Sequence, residues 1–491
     1  MRQSASRPVP IWLRHLSLCA LLLALACASG PVAAEAPPAN LAPVTPPGFA
    51  PDAVAGVRLL TKHDGSDQAS VFAVMLSGIG DQGPGEAHCA HIAEHMVFRN
   101  PLAGGPSLAA TVDAWGGAYN GWTGPDHTQY ELTVPQERLS EVLPLLIQAL
   151  FPADLDEAAY QAEMTTGLGP ELQFMTTNGL SAQLNAVKLA MFRDTAYDED
   201  LFGVPVESVP PDRVFGYLQR EYSRGRLILT VVGALEPAEV AAALAPSLAE
   251  TPLAPPPAAR LTELTPSPGS KLLLDVPGPS LSVAAGYSAV AAADCPYVRL
   301  GQQIALQHLL ENPPPGLQVE PTASGLLPAQ GAGCLVIAYA PVGRGPSPAS
   351  LHELAWVAQG HVATVLGDLT ELVTPAAVAP YVAPPADPPE LPAHVHPTMF
   401  EAWRAGLTQV PGLGADLNLR LGGIPADELA PLVVERCAVY ADDVATTAVL
   451  VVGPRGTTPW LVIGGGVVLL LGLLAWALLR RRRRADPPLT G

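Results

Sequence analysis

The sequence predicts an α+β protein of two duplicated bodies, each a mainly antiparallel sheet with helices on one face, plus a C-terminal transmembrane helix. Three observations carry this expectation. A chain of 491 residues is too long for one ordinary domain. Two stretches run in the same order of strand, helices, terminal apolar strand and glycine. The segment "LILTVVGA" closes the first and "TAVLVVGP" closes the second, a weak internal duplication. Finally, Trp460 to Leu479 carries no charge over 20 residues, long enough to cross a hydrocarbon core of ~30 Å. With 49% hydrophobic and 14% charged residues the chain is globular, rich in Ala and Pro, and not disordered.

The N-terminal elements come first. Residues 1–34 read as an export signal: Arg2, Arg7 and Arg14 precede an apolar run from Leu16 to Ala28, and Val32, Ala33 and Ala34 offer small residues for cleavage. Lipidation at Cys27 is the alternative. Residues 35–50 are a Pro-rich leader. The first body spans 51–253. Its alternating apolar pattern starts near Val57 and resumes at Ala69–Leu76 after the turn "HDGSD", as in a hairpin. Helical spacing appears in "AHCAHIAEHMVF", from Ser107 to Trp115, over Leu139–Leu150 and over Glu157–Thr166, with strands at "HTQYELTV" and "RLILTVVG".

Residues 254–269 are a linker by composition, and 270–455 form the second body, from the strand "KLLLDV" to "TAVLVVGP". The span 456–479 is read as the membrane helix and 480–491 as a basic cytoplasmic tail, because Arg480 to Arg484 come directly after the apolar run. The body is then expected on the periplasmic or extracellular side of a cell membrane, on a single-pass anchor. Cleavage of the span as a sorting signal is the alternative. Between the two ends stand 18 basic against 44 acidic residues, near −26, which argues against nucleic acid or anionic lipid as a partner. Cys89, Cys295, Cys334 and Cys437 lack CxxC spacing, so a zinc ribbon is excluded and one disulfide is open.

The chain has 11 histidines, and three of them fall within "HCAHIAEH", His88 to His95. His91 and His95, at i and i+4, share one helix face and can ligate one Zn²⁺. Glu94 can lie beside that metal without ligating it, where a carboxylate can take the proton of the attacking water. The order is HExxH reversed. A solvated polar helix face is the plain alternative. His88, one turn earlier, reads as a supporting or cleft residue more than as a ligand, and Cys89 as packing.

The stretch "GEAHCAHIAEHMVFRN" resembles the inverted zinc motif of the pitrilysin–insulinase metallopeptidases, a family that includes the mitochondrial processing peptidases. The resemblance continues through "VDAWGGAYNGWTGPDHTQYELTVP" and "TAYDEDLFGVPVESVPPDRVFGYLQREYSRGRLILTVVGAL", covering about Val57 to Leu248. It implies a metallopeptidase-like first body, a degenerate second one, a zinc cofactor and a peptide or protein substrate. It also implies His91, His95 and Glu171 as ligands, Glu94 as base and Glu163 in support. Glu171 stands 76 residues after His95 and Glu163 eight before Glu171, where the family has seven. Gly167, Gly169 and Pro170 interrupt what the family keeps as unbroken helix. Either that helix bulges by one residue, or the third ligand is displaced and Glu171 is an exposed loop acid. Asn120 resembles the element that pairs with substrate backbone, or is a turn residue after Gly-Gly.

The family's second half usually supplies an Arg and, seven residues on, a Tyr. Here "LQVEPTASGLLPAQGAGCLVIAY" has no Arg, and Tyr339 comes too late. The resemblance therefore implies a membrane-anchored zinc endopeptidase, or a weak or inactive member serving as partner or peptide-binding subunit. It also implies a heterodimer with a related subunit that bears Arg and Tyr.

Overall fold

Among the described residues, eleven strands form two sheets. The computed structural model describes residues 44–451, apart from residues 178, 200–202, 259, 265–279, 322–323, 330, 343–347, 384–390, 392–394 and 411–416. The expected signal peptide, most of the leader, the strand "KLLLDV", the span 456–479 and the basic tail lie outside the described residues.

The first sheet has the order β1-β2-β6-β3-β5-β4. Its strands are β1 (Ala50–Val54), β2 (Val57–His63), β3 (Gln68–Met75), β4 (Ala118–Thr123), β5 (Thr128–Pro135) and β6 (Leu227–Gly233). The hairpin expected between β2 and β3 does not form. β6 inserts between them, parallel to β2 and antiparallel to β3. Every residue of β6 is buried, so it needs a partner on both edges and cover on both faces, and only a central position supplies these. At the far edge β4 is half exposed and paired on one side only.

The second sheet joins β7 (Ser280–Tyr287), β8 (Leu317–Val319), β9 (Gly325–Ala329), β10 (Ala332–Pro341) and β11 (Ala445–Val451), all antiparallel. Four free cysteines and no disulfide are found among the described residues.

Five helices and one π-turn position His91 and His95 and the packing of the two sheets. Helix α1 is Cys89–Arg99 and α2 is Glu157–Glu163. A π-turn over Met164–Leu168 leads into α3, Gly169–Thr177, and α4 is Gly179–Met191. Helix α5, Pro397–Leu407, comes from the second half of the chain.

The expectation of helices on one face is corrected. Ala182, Ala186 and Val187 of α4 pack with Ala284, Val336 and Val449 on the second sheet. In return, Met399, Ala402 and Trp403 of α5 cover Phe72, Val74, Ile228 and Val232 of the first sheet. The halves thus exchange a helix. The cause lies in the strands: Val71 and Ala73 face one core while Phe72 and Val74 face the other, so neither face of β3 can be left in water. Ser70 and Thr398 hydroxyls meet at 2.8 Å, and Lys62 pairs with Glu401 at 2.6 Å along the same seam.

The expected transmembrane helix is corrected as well. No helix among the described residues is long and apolar enough to cross a membrane. The 20-residue helix Pro348–Gly367 has the length but carries His352, Glu353, Gln359 and His361. The fold is therefore mixed α/β: two sheets, each with helices on both faces.

Candidate metal centre

Helix α1 presents its apolar side, Ile92, Ala93, Met96 and Val97, to the first core. That orientation sets His91 and His95 one above the other on an adjoining stripe. Their ring centroids are 5.0 Å apart at 72°. His91 Nε2 lies 3.8 Å from Glu171 Oε1, and His95 Nε2 lies 3.5 Å from Glu171 Oε2. The ligand atoms of these three residues all fall within 4.8 Å of one another. Three ligands about 2.1 Å from one tetrahedral zinc would stand about 3.4 Å apart, so the two Glu171 contacts are already near the spacing that a Zn²⁺ ion requires.

The interruption in the α2–α3 helix is what brings Glu171 there. Gly169 N–H bonds to Met164 O, an i→i+5 link that marks one inserted residue. Two α-helical turns take about 7.2 residues; with one inserted, eight residues bring Glu163 and Glu171 to the same side. Of the two alternatives posed by the spacing, the structure has the bulge. The glycines are required by close approach: a Cβ at Gly167 would overlap the Glu163 carboxylate, and one at Gly169 would overlap Met164 O.

Glu163 then aligns His95. Its Oε1 accepts from His95 Nδ1 at 2.8 Å, leaving Nε2 for a metal, while Oε2 takes Arg99 Nε at 3.2 Å. Glu163→Gln, which weakens this support without removing a ligand, is expected to lower zinc affinity about 10- to 100-fold. Competition with a chromophoric chelator measures it, and an unchanged affinity would remove Glu163 from the centre.

Glu94 is only 6% exposed. Its Oε2 lies 3.8 Å from His91 Nε2 and accepts from Thr123 Oγ1 at 3.3 Å. β4 comes so near that a Cβ at Gly121 would overlap the Glu94 carboxylate. Burial, with Glu171 and Glu163 nearby, raises Glu94 to about 7 despite His95 and Thr123. Burial lowers His91 to about 4. In His95 burial acts downward too, but the Glu163 and Glu171 carboxylates outweigh it and push the ring to about 10.

His88 is held elsewhere. It opens α1 in the left-handed region at φ 68°, donates from Nε2 to Val204 O at 2.8 Å, and gives its N–H to Glu199 at 3.1 Å. It ties the loop before α1 to the segment near residue 204. Asn120 points away from α1, and its Nδ2 donates to Glu131 at 3.4 Å.

Residues 58–203, which contain this centre, match the sequence model of the family described as insulinase, peptidase family M16. Over that segment the chain is similar to the pitrilysin–insulinase family. The beta subunit of the mitochondrial-processing peptidase of Dictyostelium discoideum is 23% identical over 186 residues, 37% of this chain and 39% of that protein. The chain thus aligns with well under half of that relative's length.

Solved structures share the fold. The inactive domain of a peptidase M16 from Pseudomonas fluorescens has a TM-score of 0.58 at 13% identity, covering 83% of this chain and 98% of that one. A protease from Helicobacter pylori gives 0.59 at 14%, covering 84% of this chain and all of that one. The periplasmic protease PqqL of Escherichia coli gives 0.53 at 14%, over 84% and 48%. The family match ends within the first half, whereas the fold likeness spans both sheets.

Sequence reasoning singled out five of the residues that meet here: His91, Glu94, His95, Glu163 and Glu171. It gave no role to Arg99, Gly121 or Thr123, and it named Gly167 only as an interruption of the helix. The only local trace of these was "GLG", which read as a defect in a helix rather than as space for a carboxylate.

Proposed function

We propose that this chain is a zinc-dependent endopeptidase of the pitrilysin–insulinase family. The observation that carries the reading is the convergence of His91, His95 and Glu171 beside the buried carboxylate of Glu94. Zinc, when bound, supplies Lewis-acid polarisation of a water and of the scissile carbonyl. His91 and His95 would hold the ion from one rigid helix face, and Glu171 would close the set. Glu94, buried beside His91 at 3.8 Å, would accept the proton of the attacking water and hand it to the leaving amine. Asn120 and the free edge of β4 offer backbone pairing to an extended substrate. Hydrolysis of internally quenched peptides, abolished by a chelator and restored by stoichiometric Zn²⁺, tests the reading; hydrolysis indifferent to the chelator sinks it.

One observation favours dependence on a second chain. In the second half, 317–339 folds into β8, β9 and β10 with no arginine. Tyr339 is fully buried, and its hydroxyl meets no hydrogen-bond partner among the described residues. Donors aimed at a developing oxyanion contribute about 2.7–4 kcal/mol each, and this half offers neither an Arg nor an exposed Tyr hydroxyl from that segment. The expected outcome is a native heterodimer with a related subunit carrying Arg and Tyr, and slow peptide hydrolysis by the isolated chain. Light scattering with peptide assays, alone and after co-expression, measures both. Full activity from a monomer overturns it.

A further inference from the structure

One acidic side chain beside the centre takes no part in the hydrolytic chemistry. Glu131, in the middle of β5, is 8% exposed. Its carboxylate accepts from Asn120 at 3.4 Å, and no Lys or Arg pairs with it among the described residues. Burial raises it to about 7, and only the Asn120 hydrogen bond opposes that rise. An acid buried without a cation is unfavourable, and here the rigid strand pairing holds it in place.

The register shows where it points. Ala73, Tyr130 and Gly121 lie opposite one another across β3, β5 and β4, and Gly121 abuts Glu94. Their neighbours Phe72, Glu131 and Asn120 therefore turn to the other face of the sheet. Helix α5 covers that face over Phe72 and Ile228. Trp122, two residues beyond Asn120 on the same face, is 36% exposed, so the cover ends before β4.

We propose that Glu131 is a specificity-determining residue that receives the Arg or Lys side chain of a peptide laid along β4. The inference rests on the peptidase reading and names its substrate class. β4 is the sheet's edge and borders Glu94 through Gly121 and Thr123. A strand added there alternates its side chains between the two faces. The one aligned with Gly121 turns toward the metal residues, and the adjacent one, aligned with Asn120, turns toward Glu131. Two strand spacings, about 9–10 Å, separate the added strand from β5. A long Arg or Lys side chain spans that gap over Asn120, and a short one does not. The formal net charge of −19 draws the same class of peptide at longer range.

The test uses the full-length, zinc-loaded protein carrying Glu94→Gln, so that peptides bind without turnover. Fluorescein-labelled nonapeptides of Ala and Leu, with one Arg scanned through the central positions, are compared with norleucine at the same position. At one position Arg is expected to bind about tenfold or more tighter than norleucine. Adding Glu131→Gln is expected to erase the difference. Should that variant not fold, Glu131→Asp, one methylene shorter, is expected to shrink the ratio. A ratio near one at every position, or a ratio that survives Glu131→Gln, overturns the inference; peptide binding by the Glu94→Gln protein together with hydrolysis of the same peptides by the wild type leaves the peptidase reading standing. No binding together with no wild-type hydrolysis sinks both.

Discussion

Glu94→Gln is expected to keep zinc and to lose peptide hydrolysis by about 10²- to 10⁴-fold. The amide has the shape of the carboxylate, fits the space left by Gly121 and can still meet Thr123. It cannot take a proton from water. The same substitution has a second, opposite effect on stability. Burial raises the Glu94 carboxyl from its ordinary value to about 7, so its contribution to stability is present below the unfolded value and lost as pH rises through 7. Metal-free Glu94→Gln escapes that loss and should melt at or above wild type at pH 8. A variant that retains hydrolysis removes Glu94 as the base, whereas one that loses both zinc and fold assigns it a structural role instead.

His95→Ala is expected to abolish stoichiometric zinc, a larger loss than removal of the supporting Glu163. The fold should survive, because Arg99 remains 3.2 Å from Glu163 and neutralises it. The wild-type protein carries a further signature. With its pKa pushed to about 10, His95 is protonated at neutral pH in the metal-free protein, while His91, lowered to about 4, is not. Zinc can enter only as His95 gives up its Nε2 proton. Between about pH 7.5 and 9, where Glu94 is already ionised, one proton should therefore leave per zinc bound. Affinity should rise about tenfold per pH unit. Calorimetry in buffers of different ionisation enthalpy reads that proton directly. Zinc uptake with no proton release would mean that His95 is already neutral in the metal-free protein, and equal zinc content in wild type and His95→Ala would dismiss the site.

The residues behind these predictions differ in how far the sequence alone placed them. His91, Glu94 and His95 could be set on one helix from spacing alone, because i, i+3 and i+4 neighbours are fixed by a helical repeat that depends only on the local backbone. The same holds for most strands and helices of the first sheet, whose apolar periods are local. The Glu163 and Glu171 assignments came through family resemblance, and their spacing of eight left two outcomes open. Only the fold chose between them. The i→i+5 bond from Gly169 to Met164, with space at Gly167 for the Glu163 carboxylate, turned an apparent break into the element that aims both acids at His95.

Partners distant in sequence lay beyond any periodic pattern. β6 separates β2 from β3 because its residues are apolar on both faces, a demand met only in the centre of the sheet. The α4 and α5 exchange arises from two-sided burial in β7 and β10 of the second sheet and in β3 of the first, which alternation statistics register as hydrophobic without saying what will cover it. Local backbone geometry therefore decided the histidine pair and its base. Long-range packing decided the approach of Glu171 to the two histidines, the glycines that admit the carboxylates, and the edge strand beside Glu131, because those depend on which surfaces had to be removed from water together.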